Sequence, residues 1–399
     1  MLKRELYLEK IRPFYNSNLI KVISGVRRSG KSTLMSQIVE ELNNSAKVLV
    51  INLEDYNYVQ YLDEPLKFHE LILKESKDKN ISYIFIDEIQ RLKDFQRVLA
   101  SLKATLDCSL FVTGSNSQLL SGQHATTLVG RTIDFRVMPF TFKEASLYCE
   151  QIKKPFSIEN YIKWGGLPQR FIFDEERQIG VFLENLVESI VTKDIFTDKT
   201  IQNKRLFYNL LSFVLGSSGS IISSKNISSY LKEHEESVAI STIYSYLEEM
   251  EKAYLITKLP RFDIAGKKVL STLQKYYAID LGLITIHRGG LKDMLSGAIE
   301  TVLYNELLAS NYKVYIGKTY KGEVDFIVDN GFGRCYIQVA YMLSDETTLK
   351  REFSAFLPIK DNYPKYVISL DRFDFSQNGI IHYNLEEFLL GKVKLDFGP

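Results

Sequence analysis

Gly25-Val26-Arg27-Arg28-Ser29-Gly30-Lys31-Ser32 is the stretch on which the fold turns. It spells G-x-x-x-x-G-K-S between an apolar run, Ile20 to Ser24, and a helical segment opening at Thr33-Leu34-Met35. That is the strand, loop and helix setting the motif requires. The glycines let backbone N–H groups close around phosphates at a helix N-terminus, the lysine neutralises β- and γ-phosphate charge, and the serine hydroxyl suits Mg²⁺. Gly25, Val26, Arg27, Arg28, Ser29, Gly30, Lys31, Ser32 and Thr33 are therefore the candidate nucleotide-binding residues, with Ser32 a candidate Mg²⁺ ligand. A chance Gly/Ser turn would not need Lys and Ser in register.

Outward from this loop, short apolar runs alternate with helical segments from Leu19 to about Arg136, the grammar of a parallel sheet with crossover helices. Strands are predicted at Ile20 to Ser24, Val48 to Leu53, Tyr83 to Asp87, Leu110 to Thr113 and Ile133 to Val137. The third ends in Asp87-Glu88, which places two carboxylates at the strand's C-terminal edge beside the loop, as in a Walker B element. Asp87 is the candidate to hold Mg²⁺ through water, and Glu88 to act as general base with Lys31. The fourth strand runs into Thr113-Gly114-Ser115-Asn116, where Asn116 or Ser115 could sense the γ-phosphate or serve only a backbone turn. Arg131, just ahead of the fifth strand, reads either as an arginine finger toward a neighbouring phosphate, which requires a homo-oligomer, or as an exposed structural arginine. The guanine-reading N-K-x-D is absent, since Asn203-Lys204 continues as Arg205-Leu206, so ATP is the expected nucleotide.

The whole chain, 399 residues with 45% hydrophobic and 25% charged content, suits several folded domains. A net charge of +1 gives no global attraction to nucleic acid or membrane. Three widely spaced cysteines, Cys108, Cys149 and Cys335, fit neither a disulfide framework nor a zinc site. With no apolar leader and no twenty-residue apolar run, a cytoplasmic protein is expected.

Behind an ATPase core at 1–140, the capping box Thr141-Phe142-Lys143-Glu144 opens a predicted helical lid over 141–200. Residues 201–290 carry three amphipathic helices and two strands joined through Ala265-Gly266-Lys267-Lys268, as in a winged helix. Ser241, Thr242, Tyr244 and Ser245 would lead its second helix toward DNA, and Lys267 and Lys268 would form the wing. Glu233, Glu235, Glu236, Glu248, Glu249 and Glu251 oppose phosphate binding, so a protein partner stands as the alternative to DNA. A small α/β domain is expected over 291–399.

The residues together resemble prokaryotic AAA+ ATPases of the ASCE type whose C-terminal half is the DUF4143 module. The resemblance rests on Gly25 to Ser32, Phe85 to Gln90, Thr113 to Ser117, Leu128 to Arg131 and Gly165-Gly166-Leu167-Pro168, and spans nearly the full length. It implies that Gly166 and Pro168 approach the adenine. The terminal domain resembles a restriction-endonuclease-like, PD-(D/E)xK core, which implies Glu300 and Asp325 as acids. Where acid-x-Lys is expected the chain has Gln338-Val339-Ala340, so the nuclease site reads as vestigial, with a migrated lysine such as Lys350 the way it could be rescued. The expected function is Mg²⁺-dependent ATP hydrolysis coupled to DNA binding by the rear domains. A protein-directed switch is the alternative and an ATP-gated nuclease the third reading.

Overall fold

The computed structural model describes residues 1–43, 46–116, 128–196, 201–233, 238–288 and 295–398. Ser117, Glu235 and Glu236, which figure in the readings above, lie outside them. The chain divides into two compact units, Met1–Met138 with Lys252–Tyr254, and Pro139–Glu251 with Leu255–Pro399.

The first unit is built on five parallel strands: β1 (Ile20–Ser24), β2 (Val48–Asn52), β3 (Tyr83–Asp87), β4 (Ser109–Gly114) and β5 (Thr132–Arg136), in the order β2-β3-β4-β1-β5. Alternation along each strand feeds two cores, because successive side chains point to opposite faces. Ile84 and Ile86 of β3, with Leu110 and Val112 of β4, pack on one face with Phe68, Ile72, Val98 and Leu99 from helices Pro65–Lys79 and Phe95–Thr105. Phe85 and Phe111 point the other way and stack at 4.5 Å under Tyr7, Leu8, Leu34 and Ile38 from helices Glu5–Ile11 and Lys31–Asn43. The order matters for function: β4 lies between β1 and β3, so the C-terminal ends of all three strands share one edge.

The second unit opens with the capping box, in which the Thr141 hydroxyl accepts from the Glu144 N–H and the Glu144 carboxylate accepts from the Thr141 N–H. Helices Phe142–Gln151, Ile158–Trp164, Glu176–Ile190, Lys204–Gly216, Ser224–Glu233 and Ile240–Lys252 follow. The strands of this unit are β6 (Ile221–Ile222), β7 (Ile256–Asp263), β8 (Lys268–Ala278), β9 (Lys313–Lys318), β10 (Glu323–Asp329), β11 (Arg334–Val339), β12 (Lys365–Ser369) and β13 (Ile380–Asn384).

The modules read at 141–200, 201–290 and 291–399 do not separate. All eight strands form one sheet, because β7 of the hairpin pairs in parallel with β9, Arg261 opposite Ile316. Helix Leu281–Arg288, directly after the hairpin, packs on Ile158–Trp164 and Glu176–Ile190 of the lid segment. Strand β13 carried no clear signal, since Ile380-Ile381-His382-Tyr383-Asn384 is short and mixed in polarity, and its parallel pairing to β12 comes from the sheet.

Arg4 fastens the phosphate loop. It is 1% exposed, and its guanidinium donates to the carbonyls of Ser29 at 2.9 Å and Met138 at 3.1 Å. Replacing it by Met would strand both carbonyls, so Arg4→Met is expected to destabilise the first unit by about 2–3 kcal/mol. The check is a fall in the urea midpoint with the slope unchanged.

Candidate functional site

The first site lies at the shared edge of β1, β3 and β4. Gly25 has φ +141°, and a Cβ there would stand 2.3 Å from the Val137 carbonyl, so only glycine lets the chain leave β1 at this angle. Arg28 (φ 66°) and Gly30 (φ 95°) complete the curl that delivers Lys31 to the start of its helix. Lys31 is buried and donates to the carbonyls of Gly25 at 2.9 Å and Val26 at 3.0 Å. Ser29 is buried, Arg27 and Thr33 are half-buried, and Ser32 and Arg28 are exposed.

Asp87 ends β3, one strand away from β1 across β4. The Thr113 hydroxyl of β4 donates to the Asp87 carboxylate and accepts the Glu88 N–H at 3.0 Å. Glu88 itself adopts the left-handed conformation (φ 56°, ψ 47°), unusual for a side chain of its size, which turns it out of the strand line. Burial pushes the Glu88 carboxyl above the usual glutamate range, and the Lys31 ammonium pulls it back. Asn116 and Ser115 are buried just past the end of β4. The oxygens of Ser32 and Asp87 are hard donors of the kind Mg²⁺ prefers, and they come from the two motifs brought to this edge.

Arg131 stands elsewhere. Its carbonyl accepts the Ile20 N–H at 2.8 Å, so it sits where β1 begins, whereas the phosphate loop follows where β1 ends. A five-residue strand separates the two by roughly 16 Å. Its side chain is exposed.

In the second unit, Gly166 is buried and held from three sides. Its N–H donates to Asp280 Oδ2 at 2.7 Å, its carbonyl accepts the Phe140 N–H at 2.8 Å, and a Cβ would meet the Phe140 oxygen at 2.0 Å. Pro168, half-buried, opens the short turn Pro168–Ile172. Asp280, two residues past β8, also accepts the Gly282 N–H at 2.9 Å.

The residues Glu300, Asp325 and Gln338 do meet, in a cleft of about 590 Å³ whose wall also includes Lys321, Glu323 and Arg351. Asp325 Oδ2 accepts the Val339 N–H at 3.0 Å, and Gln338 Oε1 accepts the Asp325 N–H at 3.3 Å. Lys350 is not the cation of this cluster: it is 74% exposed and pairs with Glu346 at 2.6 Å along its own helix. The cation is Lys275 of β8, with Nζ 2.6 Å from Glu300 and 3.7 Å from Asp325. Burial, then the Asp325 charge, push the Glu300 carboxyl upward against the pull of Lys275. Among the described residues no three His, Cys, Asp or Glu side chains are grouped to hold a metal ion.

Around the hairpin, Ser241 and Tyr244 are exposed, Thr242 and Ser245 half-buried, and Lys267 and Lys268 exposed at the turn. Glu249 is buried, so it does not face solvent with Glu248.

Sequence reasoning missed Arg4, Lys275 and Asp280, and named Gln90 only as the end of the Phe85 to Gln90 stretch, without a role. Lys275 had a faint signal, a lone cation within the apolar and aromatic run Leu273-Gln274-Lys275-Tyr276-Tyr277.

Asp280 also generates a pH dependence. It is fully enclosed, and burial pushes it up to about 6, against the Gly166, Gly282 and Leu167 amides and Arg170. A raised carboxyl binds its proton more tightly when folded, so its contribution is present below about pH 4 and is lost as pH rises through about 6, on the order of 3 kcal/mol. Thermal denaturation from pH 4 to 7 should show this slope in the second unit, and Asp280→Asn should lack it.

Comparison with known proteins finds family matches in both halves of the chain. The AAA domain family matches residues 17–146, and a domain of unknown function, DUF8612, matches residues 156–292. The rear match is thus not the DUF4143 module of the resemblance. An uncharacterized protein of Haemophilus influenzae is 32% identical over 380 residues, covering 92% of this chain and 93% of its own. One of Methanocaldococcus jannaschii is 31% identical over 388 residues, covering 93% and 83%. A Walker-type ATPase of Pyrococcus abyssi shares the fold, with TM-score 0.51 at 14% identity over 71% of this chain and 95% of that one. With the glycine-rich loop, the acidic end of β3 and these full-length relatives in hand, the chain belongs, together with the Haemophilus and Methanocaldococcus proteins, to a family of AAA-type P-loop ATPases.

Proposed function

We propose that this ATPase hydrolyses ATP with Mg²⁺ at the edge of β1, β3 and β4 and passes its nucleotide state to the rear half to control DNA binding. The observation that carries hydrolysis is the insertion of β4 between β1 and β3, which sets Glu88 beside the loop that presents Lys31. Lys31 binds the β- and γ-phosphates through its ammonium, exchanging the Gly25 and Val26 carbonyls for phosphate oxygens. Ser32 and Asp87 would hold Mg²⁺, which supplies further charge neutralisation. Glu88 takes a proton from the attacking water as its oxygen bonds to the γ-phosphorus, and the bridging bond to ADP breaks. Asn116 reads the γ-phosphate from the end of β4. Gly166 and Pro168 are the residues proposed to contact the adenine, as the resemblance implies. Arg131, at the far end of the sheet, acts only on the nucleotide of a second copy.

The path to the rear runs along β8. One end of this strand leads to Asp280, which holds the Gly166 loop, and its middle supplies Lys275 to Glu300 and Asp325. A shift of the loop on nucleotide binding therefore pulls on the strand that forms one side of the hairpin. DNA binding is supported by exposed Ser241, Lys267 and Lys268 and by the burial of Glu249. A protein partner is the second reading, favoured by exposed apolar side chains on the same module, Ile240, Tyr244, Val269 and Leu273. Cleavage of nucleic acid is not part of the proposal, because the amide Gln338 stands beside Glu300 and Asp325 where a carboxylate would be the stronger metal ligand.

Lys31→Ala is expected to weaken nucleotide affinity by about 10-fold or more, and Glu88→Gln to bind ATP normally while kcat falls by roughly 10²–10⁴. Normal turnover by Glu88→Gln would remove Glu88 from its role. Steady-state hydrolysis with and without duplex and single-stranded DNA, at two salt concentrations, tests the output. Salt-sensitive stimulation supports DNA; a real but unresponsive ATPase supports the protein partner.

A further inference from the structure

Gln90 follows Glu88 in the short turn Ile89–Arg91 and has no part in the scheme above. Its Nε2 donates to the Glu88 carboxylate and, at 3.2 Å, to Ser115 Oγ at the end of β4. The orientation of the amide follows from this contact, since a carboxylate accepts and only the nitrogen end of an amide donates. Gln90 Oε1 has no surface open to water and no hydrogen-bond partner, so the amide acts on the site through its nitrogen.

We propose that Gln90 positions the general base, its Nε2 tying the Glu88 carboxylate to Ser115 at the end of β4 so that the carboxylate is held in one orientation for proton removal. This rests on the reading of Glu88 as the base. The proton Glu88 removes goes to its own carboxylate while the water oxygen bonds to the γ-phosphorus, so Gln90 is neither protonated nor consumed. Glu88 is thereby fixed twice to β4, by its backbone N–H on Thr113 and by its carboxylate through Gln90 on Ser115. Ser115 precedes Asn116, so contact with the γ-phosphate there reaches the base through one side chain.

The test measures kcat, KM for ATP, ADP affinity and the pH dependence of kcat in full-length Gln90→Ala and Gln90→Glu. The second is nearly isosteric and guards against a folding defect in the first. Both are expected to lower kcat by about 10–100-fold with ADP affinity within about twofold. Losing the amide N–H from the Glu88 carboxylate disfavours its charged form, so the acidic limb of the kcat profile should move to higher pH in both. A kcat within about twofold of the parent, or a loss of kcat with an unmoved acidic limb, overturns the proposal. Glu88→Gln measured alongside separates the two readings: if it turns over normally, the base assignment fails; if it stalls while Gln90→Ala does not, only the role of Gln90 fails.

Discussion

The Thr113 hydroxyl links the two strands on which the nucleotide site depends. It donates to Asp87 and accepts from the Glu88 N–H, so one side chain of β4 fixes both acids at the end of β3. A hydroxyl is suited to this because it can donate and accept at once. The contact exists because β4 pairs in parallel with β3, Ile86 opposite Val112, which brings the next residues of the two strands, Asp87 and Thr113, side by side. Glu88 takes a left-handed backbone as it leaves the strand, and Thr113 meets the N–H that this conformation presents.

Much of this site was legible from residues close together in the chain. The phosphate loop, the acidic end of β3 and the capping box at Thr141 each depend on neighbours within a few positions. What could not be read depends on strand order. Nothing local tells that Lys275, in a hairpin, faces Glu300 and Asp325 from a different segment; that follows from β7 pairing with β9. Lys350 was a natural substitute because it lies in the segment after Ala340, but a helix places it beside Glu346 one turn away. Arg131 was legible as an arginine ahead of a strand, and only the parallel register of β5 on β1 shows which end of the sheet it occupies.

The rear half joins its segments through charged contacts that are unusually well buried. Lys275 and Glu300 are each about a tenth exposed or less in their side chains, and Tyr277 donates to the same carboxylate. Such a cluster gives little net stability over an apolar core, but it penalises any arrangement that separates its members. Asp280 does the same for the Gly165-Gly166 turn: a Cβ on Gly165 would stand 1.9 Å from its carboxylate, so turn and acid fit only together. Both groups hang from β8 or the residues just beyond it.

The parallel seam between β7 and β9 also limits how the protein can be divided. A fragment ending near residue 290 would keep β7 and β8 but lose β9, exposing the backbone donors and acceptors of Arg261, Phe262 and Asp263 that the seam now satisfies. That open edge would offer itself to other chains, as unprotected sheet edges do. Gene fusions or domain exchanges that cut there would yield a sticky module, whereas a junction at Met138 and Pro139 leaves each of the two sheets whole.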